Sequence, residues 1–114
     1  MTRQEPIISR VQMSAHERKL RSEINRLLSQ HGLLHGTLIT RKRLCGKDAC
    51  RCAKGHLHQS FYLVVTEGGK SRQMYVPSKW EASVRQWLDH YAQARLILDE
   101  LSSMHWDKVR NRQD

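Results

Sequence analysis

Every cysteine in this chain falls inside one short stretch, residues 44–58, which also carries two of the seven histidines. Four residues separate Cys45 from Cys50, and one separates Cys50 from Cys52. Three thiolates and one imidazole make a tetrahedral donor set suited to zinc, and four protein ligands close the site, as in structural rather than catalytic zinc. Gly46 and Gly55 supply permissive backbone for turning around a small ion. His58, at the start of the next segment, is placed to close the ring, with His56 as the second candidate. An odd number of cysteines without a secretory leader is against a disulfide framework; the competing reading is three reduced thiols. The stretch is therefore expected to be a zinc knuckle, Cys45, Cys50, Cys52 and His58 holding one structural Zn2+.

Charge accumulates at the same place. The formal net charge is +9, and residues 36–58 alone hold six basic residues against one acidic. Residues 80–114 hold five basic against six acidic. A polyanion is the natural partner for such a segment, because each cation that neutralises a phosphate releases counterions. The candidate nucleic-acid contacts are Arg41, Lys42 and Arg43 before the knuckle and Lys47, Arg51 and Lys54 within it. Arg51 stands between two ligands and must point outward. DNA and RNA are equally compatible with this pattern. A solvated basic surface is the plain alternative.

Taken in order, residues 1–13 read as a flexible tail and residues 14–114 as one domain. Ser14 with Glu17 matches a capping box, Leu20, Ile24, Leu27 and Leu28 recur at helical spacing, and Gly32 offers a left-handed stop, giving a helix over 15–31. The period changes to that of strands at Thr37–Thr40, at Phe61–Thr66 and at Arg72–Val76, the last two joined by a turn at Gly68 and Gly69. One of Phe61 and Tyr62 must face away from the other, so one is available to stack on bases. Pro77, Ser78 and Glu81 repeat the capping signature before a second helix over 79–110. Its apolar seam runs Trp80, Val84, Trp87, Tyr91, Ala94, Leu98, Leu101, His105. At 1.5 Å per residue this helix is about 45 Å long and outruns the first. Its far half needs cover, either from a second copy of the chain, from a protein partner, or from the first helix folded along it. The architecture expected is α+β: a helix, a three-stranded antiparallel sheet interrupted by the knuckle over 36–76, and a long C-terminal helix.

Cys45-Gly46-Lys47, Cys50-Arg51-Cys52-Ala53, Gly55 and His58, followed by Phe61-Tyr62-Leu63, Gly68-Gly69-Lys70 and Tyr75-Val76-Pro77, resemble a family of small prokaryotic proteins of unknown function. The resemblance spans about residues 36–104 and favours His58 over His56, since the family histidine precedes the aromatic pair. It implies a terminal helix and, for some members, a setting near mobile elements. The chain departs from the family in carrying Gln59-Ser60 where Gly-Pro usually follows the histidine.

Catalysis has little to stand on. Adjacent Asp99 and Glu100 point about 100° apart on a helix, and no nucleophile motif gathers the serines and histidines. Gly68-Gly69-Lys70-Ser71 lacks the earlier glycine of a phosphate loop and joins two strands rather than opening a helix. With no long apolar run, no membrane contact is expected and the cytoplasm is the expected location. The sequence points to a non-enzymatic nucleic-acid-binding accessory or regulatory protein. The alternative is a protein-interaction module or subunit of a larger complex that uses the long helix, with zinc purely structural.

Overall fold

The computed structural model describes residues 12–43 and 58–112. Its elements are helix α1 (Ala15–Gln30), strands β1 (Thr37–Arg43), β2 (His58–Glu67) and β3 (Lys70–Val76), a 3-10 turn (Ser78–Trp80) and helix α2 (Glu81–Arg110). The arrangement is α+β, with an N-terminal helix, a three-stranded antiparallel sheet and a long C-terminal helix. Contacts divide the chain into two compact units, with boundaries between His31 and Gly32 and between Ala92 and Gln93.

The helical unit begins at its cap. The Ser14 hydroxyl accepts the Glu17 amide at 3.1 Å, half of the expected capping box. The other half is diverted: the Glu17 carboxylate accepts from Arg21 at 2.9 Å and lies 3.8 Å from Lys108 on α2. Met13, assigned to the tail from sequence, is buried, and its carbonyl accepts from Arg18 at 2.7 Å. Leu20, Ile24 and Leu27 of α1 pack on Ala94 and Ile97 of α2, with Leu101 and Met104 beside them. The first helix therefore covers a stripe of the far half of the second. That stripe differs from the expected seam, for Leu98 is 54% exposed and Ile97 takes its place. A straight helix at 3.6 residues per turn drifts from a strict heptad, and the buried face is rotated accordingly. Leu28 also leaves the expected stripe and is exposed.

In the sheet unit β2 lies between β1 and β3. Gly68 and Gly69 have φ of +56° and +77°, the two successive left-handed residues of a type I′ hairpin turn. The register that follows pairs Glu67 with Lys70, Leu63 with Met74 and Phe61 with Val76. Leu63, Val76 and Val84 form the core of this unit, with Leu34, Leu38, Phe61 and Leu88 packed around it. Two expected signals act differently. Ser78 makes no side-chain cap; Pro77 stands at the cap position of a 3-10 turn, its carbonyl accepting from the Trp80 amide at 2.9 Å. Gly32 is not left-handed, and α1 ends on an extended His31. What Gly32 supplies is space, because a Cβ there would lie 2.4 Å from the Trp87 ring.

Glu17 yields a pH prediction. Its side chain is almost fully buried, which raises the carboxyl, but the Arg21 hydrogen bond and the charges of Lys108, Arg21 and His105 outweigh burial and hold it below its ordinary value. Ionised Glu17 therefore stabilises the fold above the unfolded carboxylate range, and that contribution is lost as pH falls through the depressed folded value. Thermal unfolding of the wild type between pH 7 and pH 3 should show an acid loss that Glu17→Gln reduces, with the variant less stable at pH 7. Identical profiles for the two proteins would count against this account.

Candidate nucleic-acid interface

Strand alternation decides what each face of the sheet offers. Phe61 and Leu63 of the central strand turn to the core, so Tyr62 between them turns to the opposite face. The register sets Tyr62 between Ile39 on β1 and Tyr75 on β3. The two tyrosine rings meet edge-on, with centroids 5.8 Å apart and planes at 69°. Tyr75 is 57% exposed, a large aromatic surface left to solvent.

Arg41 completes the cluster. It belongs to β1, paired with Ser60, one step along the sheet from the tyrosine row. Its guanidinium carbon lies 4.7 Å from the Tyr62 ring centroid, a cation–π contact, and Nη2 donates to the Gln73 side-chain oxygen at 3.0 Å. Gln73 is on β3, two residues before Tyr75. The Arg41 side chain thus crosses from one edge strand, over the central tyrosine, to the other edge strand. Beyond Gln73, toward the hairpin turn, the same face carries the paired and exposed Thr66 and Ser71, which are short and polar. Neither Arg41 nor Lys42 pairs with a carboxylate among the described residues, whereas Arg72 pairs with Glu67 at 3.0 Å. This arrangement can present an aromatic face and a cation to one ligand at once.

Of the residues singled out from sequence, Arg41 and Lys42 are exposed on β1, and Arg43 closes that strand opposite His58, the first residue of β2. Cys45, Lys47, Cys50, Arg51, Cys52, Lys54 and His56 lie outside the described residues. Among the described residues no three His, Cys, Asp or Glu side chains gather in a way that could hold a metal. Sequence reasoning missed Tyr75 and Gln73. The signal was present, since Tyr62 and Tyr75 are equidistant from a two-residue glycine turn, and such a turn places equidistant residues opposite one another.

Exposed Tyr75, half-buried Tyr62 and the Arg41 cation thus lie together on one face of a small antiparallel sheet in an α+β scaffold. The chain belongs to the family described as a domain of unknown function, DUF6788, which matches residues 15–86 and so takes in α1, all three strands and the start of α2. No curated protein and no solved structure matches the chain. Among the described residues no helix is long and apolar enough to cross a membrane.

The Arg41 contact is exposed and worth about 0.5–1 kcal/mol by analogy with other surface cation–π pairs. Arg41→Ala should accordingly lower stability in urea unfolding by no more than about 1 kcal/mol. A loss several times larger would mean that the arginine is a structural strap rather than part of a ligand surface.

Proposed function

We propose that this protein is a non-enzymatic nucleic-acid-binding accessory or regulatory protein, and that the free face of its sheet is the contact surface. The observation that carries the reading is the Tyr62–Tyr75 pair with Arg41 laid across it. Arg41 supplies a phosphate contact and the tyrosines supply surface for bases, the two components of strand binding without a sequence-reading helix, while Lys42, next along β1, alternates to the other face. The concentration of positive charge in residues 36–58 adds long-range attraction. A cytoplasmic location and the mobile-element setting implied by the motif resemblance accord with a nucleic-acid partner.

The proposal includes a structural zinc held by Cys45, Cys50, Cys52 and His58. The donor set suits the ion, and the antiparallel pairing of Arg43 with His58 brings the two ends of the cysteine segment to neighbouring positions, about 5 Å apart between Cα atoms. Bound zinc would add a crosslink that closes the segment, and would hold Lys47, Arg51 and Lys54 on a restrained backbone before any partner arrives. A second reading is a protein-interaction or homodimer role for α2 within a larger assembly. It draws on Trp106, Val109 and Leu98, which are exposed along the far part of that helix.

Two measurements test the proposal. Titration of a labelled oligonucleotide with the full chain should give an affinity that falls linearly in log–log form with salt, and Arg41→Ala should reduce the slope by about one. Absence of binding to single-stranded and duplex probes at low salt would discard it. Protein purified without added metal should contain about one equivalent of zinc, the complement of one closed four-ligand site, and Cys50→Ser should retain little. Metal-free wild-type protein would remove the zinc from the reading while leaving the sheet surface to be judged by the titration.

A further inference from the structure

We infer that the partner is a single strand with unpaired bases, and that Tyr75 is the first stacking position, with Tyr62 reached only when Arg41 moves. This rests on the nucleic-acid reading above and adds to it which form of nucleic acid the surface takes and how. A duplex keeps its base faces stacked inside, so an aromatic face on a sheet has nothing to stack upon. Nor does the sheet fit a groove well. The major groove admits a helix or a two-stranded ribbon, whereas this surface is three strands wide, about 10 Å between outer backbones before side chains are added.

The geometry of the rings sets the order of contact. Tyr75 is open to solvent, while the Tyr62 ring already carries the Arg41 guanidinium at 4.7 Å. A first base takes Tyr75. A second base takes Tyr62 by replacing the guanidinium, which gives up its contact with the ring and with Gln73 and becomes available to a phosphate of the same strand. Because the ring planes differ by 69°, the two bases cannot continue one stack and must be splayed, a conformation open to a single strand. Release of Gln73 at the same moment leaves its amide free beside the base on Tyr75, where it can meet a base edge.

The test compares unstructured oligonucleotides, one ribose and one deoxyribose, with duplexes of the same length and composition, using fluorescence anisotropy and the full chain. Single strands should bind at least about tenfold tighter than duplexes at moderate salt. Tyr75→Ala should lose about tenfold on single strands with the salt slope unchanged, since stacking involves no counterion. Tyr75→Phe should stay within about twofold, because the ring and not the hydroxyl makes the stack. Tyr75 is exposed, so these variants are expected to fold, and circular dichroism checks that they do. Duplex binding at or above the single-strand level, or Tyr75→Ala equal to wild type, overturns the inference while salt-dependent binding keeps the broader reading. No binding to either form overturns both. The tighter of the two sugars identifies the natural class of strand.

Discussion

Two successive glycines with positive φ hold β2 and β3 in a single register, and the chemistry of both sheet faces depends on that register. A slip of one residue would exchange the faces of β3, sending Tyr75 to the core and Val76 to solvent. With the turn at Gly68 and Gly69, Phe61 meets Val76 over the core and Tyr62 meets Tyr75 on the free side. Side chains with β-branched or large residues are poorly tolerated where both turn positions need positive φ, so the turn is both cheap for glycine and selective. The same turn that builds the core thus builds the aromatic surface, and neither can be altered without the other.

The helical unit depends on a different kind of constraint. Glu17 is a carboxylate almost fully withdrawn from water, and a buried charge is tolerated only with partners. Arg21 comes from the next turn of the same helix and Lys108 from the last turn of α2, so one acid ties together residues far apart in sequence. The apolar contacts between Leu20, Ile24, Leu27 and the Ala94, Ile97 stripe supply the bulk of the burial. The ion pairs add a condition on how α1 and the far part of α2 meet, because an acid at the third position of α1 has its second cation only where α2 ends.

Much of this was legible in the residues. Ser14, the alternating strands and the glycine pair each carry their own local chemistry, and element order followed from them. The differences between pattern and structure share a cause: a residue suited to a common local role is claimed by a tertiary contact. Glu17 fits a capping box but answers to Arg21 and Lys108. Gly32 fits a helix stop, yet its lack of a side chain is used by the Trp87 ring. Ile97 and Leu98 are equally apolar, and only the rotation of α2 against α1 chooses between them. At the candidate site, Arg41 was visible as charge and Tyr62 as an aromatic, while Tyr75 needed the register to be carried across the turn.

Arg41 is where the opposing demands on this surface meet. In the free protein it satisfies the Tyr62 ring and the Gln73 amide, and both contacts are individually weak because they are exposed. Weak contacts to a polar and an aromatic group are what a cation can surrender when a phosphate becomes available, since a charge-assisted bond to an anion is the stronger one. A lysine would reach the ring but could not use its point charge to face the ring and the amide in the same planar way. The guanidinium therefore ties the Tyr62 ring to Gln73 through two contacts weak enough to be surrendered, and under the proposed function a strand would replace them as a pair, with a base on the ring and a phosphate on the cation.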